Sequence, residues 1–242
     1  MKVLVVGATG LIGGECLRQC LSHPDVTSVV AFVRRELDPS SYSGMEAQKL
    51  TCVLIDDFLT WSDDILREHA DAVGMIWAMG TYAGHRGADL EYPLAFLQSM
   101  ERVLLLLLPE RKQRLTYVQL SGMFTRQDQE KRLLFLEYPR KLKGLLETKV
   151  EEFAETHKDT WRVFIVRPGG VAAKKFPGSY AVAALLGDSW CVRLEHLGAY
   201  MADLAARGGE EGREVRIENQ HIAKRGRELL RGRAQSRAWL CD

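Results

Sequence analysis

Three glycines set between an apolar run and a helical one constrain this chain more than any other feature. The segment Val5-Val6-Gly7-Ala8-Thr9-Gly10-Leu11-Ile12-Gly13-Gly14 spaces glycines at 7, 10 and 13. Before it, residues 3–6 form the continuous β-branched and leucine run expected of a strand buried on both faces. After it, apolar residues recur at helical spacing over 11–21, until Ser22-His23-Pro24 ends the pattern. Each glycine has a separate physical use. Gly7 permits the tight turn, Gly10 lets the backbone approach a pyrophosphate, and Gly13 lets the helix pack close to the strand. With Thr9, Leu11 and Ile12 they form a candidate cradle, because a helix N-terminus presents free N–H groups and a positive dipole end to phosphates. A tight strand-to-helix turn without a ligand is the other reading. The flanking strand and helix favour a dinucleotide site.

Further strand-like runs follow at 29–33, 52–55, 72–77, 115–120 and 162–166, separated by helical stretches at 65–69, 89–108 and 139–157. Strands alternating with helices imply right-handed crossovers and a doubly wound parallel α/β sheet, the Rossmann fold. No linker, repeat or low-complexity stretch divides the chain, which reads as one domain over 1–242. Its core is expected over about 1–171, with an irregular C-terminal segment, about 172–242, on the substrate side of the cofactor site. Helical pieces are expected there at 181–186 and 222–231.

The tip of the second strand selects the dinucleotide. Sites for NAD(H) usually carry an acid there to accept from the ribose hydroxyls. Here the strand ends Phe32-Val33-Arg34-Arg35, and no acid appears before Glu36. Two guanidinium forks suit a 2′-phosphate, so Arg34 and Arg35 point to NADP(H). At the end of the third strand Asp56 or Asp57 is placed to accept from the adenine amino group. Ala78, Met79 and Gly80 supply small or flexible residues where the cofactor must pass. All of these stand at carboxyl ends of strands, where open α/β sheets bind ligands.

Charge and cysteine usage exclude several other classes. A formal net charge of +1 offers nothing to nucleic acid or an acidic membrane surface. The basic residues over 213–237 are interleaved with Glu214, Glu218 and Glu228 and read as a solvated helix face. Cys16, Cys20, Cys52, Cys191 and Cys241 form no CxxC pair, and their odd number argues for a reducing, cytoplasmic setting. Cys16 and Cys20 lie one helical turn apart with no third ligand nearby, so they read as core packing, and no metal site is expected. The apolar run at 103–108 is too short to span a bilayer and reads as the buried end of a helix. The five dispersed tryptophans read as packing, and Met75, Met79 and Met123 flank the proposed site. The partner expected is a small-molecule substrate.

Taken together, VVGATGLIGG, FVRR, IDDF, AMGT, the strand end Gln119-Leu120-Ser121-Gly122-Met123, the helix beginning Lys143-Gly144-Leu145-Leu146-Glu147 and the segment Arg167-Pro168-Gly169-Gly170-Val171 carry a resemblance. Over roughly residues 1–171 the chain resembles the atypical short-chain dehydrogenase/reductases, epimerase-like NAD(P)-binding proteins of the fungal type. The resemblance implies an NADP(H)-dependent oxidoreductase acting on a small carbonyl or activated alkene. It also implies that Ser121 hydrogen-bonds the substrate carbonyl and that Lys143 holds the nicotinamide ribose and lowers the pKa of a catalytic tyrosine. Pro168, Gly169, Gly170 and Val171 would run beside the nicotinamide.

The chain departs from that family at the tyrosine. The family's YxxxK sets Tyr and Lys four apart, about 40° around a helix and on one face. Four residues before Lys143 stands Pro139; Tyr138 is five away, about 140° around the helix. Proline favours the first helical position, so Tyr138 is expected just outside the helix, from where it would swing back as proton donor. Lys141 is a second partner for it, and His85 a second titratable candidate. The displaced tyrosine leaves two alternatives open. One is a non-redox isomerase or cyclase on the same fold; the other is a regulatory protein that senses NADP(H).

Overall fold

The computed structural model describes residues 1–38, 45–107, 113–209 and 215–239. In chain order the strands are β1 (Lys2–Val6), β2 (Ser28–Val33), β3 (Leu50–Leu54), β4 (Gly74–Trp77), β5 (Leu115–Leu120), β6 (Trp161–Arg167), β7 (Gly170–Ala172), β8 (Cys191–Arg193) and β9 (Arg216–Glu218). The helices are α1 (Leu11–Leu21), α2 (Met45–Gln48), α3 (Asp63–Glu68), α4 (Tyr92–Leu107), α5 (Glu137–Thr156), α6 (Ser179–Leu186), α7 (Leu194–Arg207) and α8 (Asn219–Trp239). A π-helical turn, Gly87–Glu91, leads into α4.

Seven strands form one parallel sheet in the order β3-β2-β1-β4-β5-β6-β9, and β7 pairs with β8 beside it. Both faces of the sheet are covered, which explains its unbroken apolar runs. Along β1, Val3 and Val5 enter a cluster with Cys16, Leu17, Tyr200 and Ala202. Leu4 and Val6 point the other way, into a cluster with Trp77, Phe96, Tyr117 and Trp161. The sheet is thus the middle of three layers, the doubly wound α/β fold that the alternation implied.

The C-terminal segment differs from expectation. Instead of lying wholly over the site, it supplies a core helix and a strand of the sheet. Ten residues of α7 are buried, among them Ala199, Ala202, Ala205 and Tyr200. Its small side chains let it pack closely, and they leave a weaker periodic signal than leucines would. β9 has only Ile217 buried between charged neighbours, a short edge strand with little sequence trace. At the end of α4, Val103 and Leu104 are buried, whereas Leu105 and Leu106 are 50% and 68% exposed, so only one side of that apolar run is the buried helix end it resembled, and residue 108 lies outside the described residues. Trp61, Trp77 and Trp161 are core residues, whereas Trp190 is 55% exposed.

Cys16 and Cys20 lie in the core, Cys16 Sγ standing 3.7 Å from Met201 Sδ. Burial pushes the Cys20 thiol up to about 12, which makes it a packing group. Among the described residues no His, Cys, Asp and Glu group is arranged to hold a metal ion. No helix among them is long and apolar enough to cross a membrane.

His69 is buried against Phe32, with ring centroids 5.8 Å apart. Burial pulls its pKa below the ordinary 6.5, although Glu68 and Asp71 oppose that shift. The unfolded chain therefore takes up this proton first as pH falls. Its contribution to stability is complete above about pH 6.5 and is lost as the pH drops toward the folded-state value. Thermal melts between pH 8 and pH 5 should show a smaller acid-side decline in His69→Phe than in the wild type. An unchanged decline would place the proton uptake elsewhere.

Candidate dinucleotide and catalytic site

The chain runs outward from β1 to β3 on one side and from β4 to β9 on the other, so the winding reverses between β1 and β4. That is where ligands bind in sheets of this kind. A cleft of about 440 Å³ opens there, lined by Gly7, Ala8, Thr9, Gly10, Phe32, Val33, Arg34, Arg35, Phe58, Ala78, Met79 and Gly80. Its glycines divide the work. Gly7 has φ +89°, and a Cβ on it would meet Ala78 C at 2.7 Å. A Cβ on Gly13 would stand 2.1 Å from Gly7 O, so this residue seats α1 against the turn. At Gly10 an added Cβ meets only Gly7 O, at 3.3 Å, and otherwise open space. Among these three glycines, position 10 is where backbone is bared to the cleft.

Arg34 and Arg35 are exposed at the rim, and neither has an acidic partner among the described residues. Leu11 and Ile12 begin α1 beside the loop. Asp56 and Asp57 lie outside the cleft lining, and Asp57 Oδ1 is engaged by the Leu59 amide at 2.9 Å. Phe32 and Phe58, which line the cleft, carried no sequence signal beyond core packing. Pro168, Gly169, Gly170 and Val171 do not line it either. They lie beyond β5, where Met123 N donates to Pro168 O at 2.9 Å and Gly169 N to Asn219 Oδ1 at 2.8 Å.

Lys143 and Ser121 each meet a buried carboxylate. Lys143 projects from α5, and its Nζ donates to Asp89 Oδ1 at 2.6 Å. A Cβ on Gly80 would stand 2.9 Å from Asp89 Oδ1 and 3.1 Å from Lys143 Nζ, so the pair sits against the cleft floor. Burial alone would raise the Asp89 carboxyl. The Lys143 ammonium and the Thr81 donors outweigh it and hold the group below the usual carboxylate range.

One helical turn beyond Lys143, Glu147 is fully buried and accepts from Ser121 Oγ at 2.6 Å. Arg167 grips the same carboxylate with Nε at 2.9 Å and with Nη2. Thr125 Oγ1 lies 3.0 Å from Ser121 Oγ. With its proton on Glu147, the serine accepts from Thr125. Both its donor and one acceptor position are thus engaged inside the protein.

Tyr138 is the second residue of α5, with Pro139 third, so the tyrosine is not outside the helix as proline placement suggested. Leu136, with φ 48°, turns the chain into the helix just before it. Its ring packs on the loop after β4, where a Cβ on Gly84 would meet Tyr138 Cδ1 at 3.0 Å. Tyr138 is 56% exposed. Lys141 pairs with Glu137 at 2.8 Å and not with the tyrosine. His85 is exposed, with Nδ1 accepting from Ala88 N at 3.2 Å. Sequence reasoning missed Asp89 and the Glu147–Arg167 pairing as parts of the site. An acid in the first turns of a helix reads as a dipole partner, and only its distant contact distinguishes it.

No family model and no curated protein matches the sequence. Solved structures do match in shape. Gre2 from Candida albicans in complex with NADPH superposes with a TM-score of 0.62 at 15% identity, covering 90% of this chain and 78% of that one. FolM alternative dihydrofolate reductase 1 from Brucella canis, complexed with NADP, gives 0.63 at 14% identity over 91% and 93% of the two chains. A short chain dehydrogenase/reductase family protein gives 0.65 at 16% identity over 92% and 97%. The three-layer fold, with the cleft at the sheet's winding reversal, is thus the fold of these short-chain dehydrogenase and reductase structures.

Proposed function

We propose that the protein is an NADP(H)-dependent oxidoreductase of the short-chain dehydrogenase/reductase type, reducing a small carbonyl or activated alkene. One observation carries this reading. The cleft combines bare backbone at Gly10 with two guanidinium groups at its rim that have no acidic partner among the described residues. Gly10 and the start of α1 would hold the pyrophosphate, Arg34 and Arg35 the 2′-phosphate, and Lys143 the nicotinamide ribose. The bound dinucleotide supplies the hydride, and the protein supplies orientation and electrostatics. The ligands named for Gre2 and FolM point the same way.

A second reading, a non-redox isomerase or cyclase, is favoured by the place of Tyr138, whose ring rests on Gly84 while Lys143 binds Asp89. Two measurements decide. In fluorescence titrations NADPH should bind at least about tenfold more tightly than NADH, worth about 1.4 kcal/mol, and Arg34→Ser should remove most of that preference. Equal affinities in the wild type would overturn the phosphate assignment. With a panel of carbonyl and alkene substrates, NADPH absorbance should fall in step with product formed. Full-rate turnover by cofactor-free protein would instead establish the non-redox reading.

A further inference from the structure

Asp89 is a carboxylate with a 0% exposed side chain, and such a group is costly to bury unless its oxygens are fully engaged. Here they are. Oδ1 accepts from Lys143 Nζ at 2.6 Å and from Thr81 N at 2.9 Å. Oδ2 accepts from Thr81 Oγ1 at 2.6 Å and from His85 N at 2.8 Å. Three of these four donors come from the loop after β4; the only charged one comes from α5, 54 residues away. Asp89 stands within the π-helical turn, a wound segment that recurs at functional sites.

Lys143 completes the geometry. An ammonium has three donors, and one is spent on Asp89. The other two have no partner among the described residues, and the lysine side chain keeps 24% of its exposure. Gly80 lines the cleft, and a Cβ on it would stand 3.1 Å from Lys143 Nζ, so only this glycine's missing side chain lies between the ammonium and the cleft lining. A lysine whose charge is offset by a carboxylate at 2.6 Å is a fixed hydrogen-bond donor more than a source of positive field for a tyrosine.

We infer that Asp89 is the positioning residue for Lys143: it holds the ammonium through Oδ1 and aims it at the ribose of the dinucleotide beside the reacting ring. This rests on the reading that the cleft takes NADP(H). It assigns the lysine to holding the cofactor, and it makes the helix turn that carries Asp89 part of the binding machinery.

The experiment is a set of binding titrations with NADPH and with NADH on the wild type, Asp89→Asn, Lys143→Met, the double variant and Arg34→Ser. Asp89→Asn and Lys143→Met should each weaken both cofactors by the same factor, about tenfold, the scale of one hydrogen bond to a charged group. The NADPH-to-NADH ratio should stay at the wild-type value in both, whereas Arg34→Ser changes the ratio. In the double variant the loss should equal that of Lys143→Met alone, because the carboxylate acts only through the lysine. Additive losses, or an Asp89→Asn protein with wild-type affinity, would overturn the inference while leaving the cofactor reading intact. A wild type that binds neither cofactor would overturn both. Should Asp89→Asn fail to fold, Asp89→Glu keeps the charge but shifts it by a methylene, and the same equal loss for both cofactors is expected. Wild-type affinity in Asp89→Glu together with an undiminished effect of Lys143→Met would count against positioning.

Discussion

Gly10→Val should abolish dinucleotide binding while the protein remains folded. The backbone at position 10 has φ −87° and ψ 170°, open to any L residue. A Cβ there touches only Gly7 O, at 3.3 Å. The valine methyl groups would therefore fill the space proposed for the pyrophosphate, and the core would not feel them. At least a 100-fold loss of NADPH affinity is expected, about 2.7 kcal/mol. Glycine is also the residue that caps α1, and a β-branched cap costs up to about 1 kcal/mol, so the melting temperature should fall by only about 2–4 °C. Gly13→Val is the contrasting control. Its Cβ would lie 2.1 Å from Gly7 O, so the loop itself must break and both binding and stability should go. Titration and circular dichroism on the two variants test the division. Unchanged binding by Gly10→Val would reduce the glycine motif to a packing turn.

The largest expected loss of stability follows from removing Glu147. Its side chain is 1% exposed and that of Arg167 is 13% exposed. Arg167 donates twice to this carboxylate, and Ser121 donates to it as well. Glu147→Ala leaves the guanidinium with Glu218 Oε1 at 3.2 Å, a partner that is itself 56% exposed. Breaking one side of a buried ion pair costs about 3–5 kcal/mol, because the remaining charge stays desolvated. For a chain of this size that lowers the melting temperature by roughly 6–20 °C. Asp63→Ala, which breaks an exposed pair with Arg102, should leave the urea midpoint almost unchanged, because water screens that pair. Urea denaturation of the two variants makes the comparison. A cost below about 1 kcal/mol for Glu147→Ala would mean that Arg167 is satisfied without it.

Much of the frame was legible in the residues. The strand before Gly7 and the helix after it were readable because a buried parallel strand needs an unbroken apolar run and a helix needs its own period. α1 and β5 have the boundaries their patterns implied, and β2 ends at the arginine pair on the cleft rim. β3 starts two residues earlier and ends one earlier than its pattern because it is an edge strand, half exposed, with no apolar face to fix its limits. The π-turn before α4 left no trace, since its residues read as the start of an ordinary helix.

The sequence by itself determined the doubly wound sheet, the glycine turn between β1 and α1 and the two arginines at the tip of β2, because each is a local pattern read from its spacing. Only the tertiary structure decided what the chemically active side chains meet. The five-residue spacing already set Tyr138 and Lys143 on different faces; the structure decided that Tyr138 lies inside α5 with its ring against Gly84. Lys143 finds Asp89 across 54 residues, and Ser121 finds Glu147 across 26. Such pairs depend on how β4, β5 and α5 pack against one another, and a contact made by packing leaves no period in the chain.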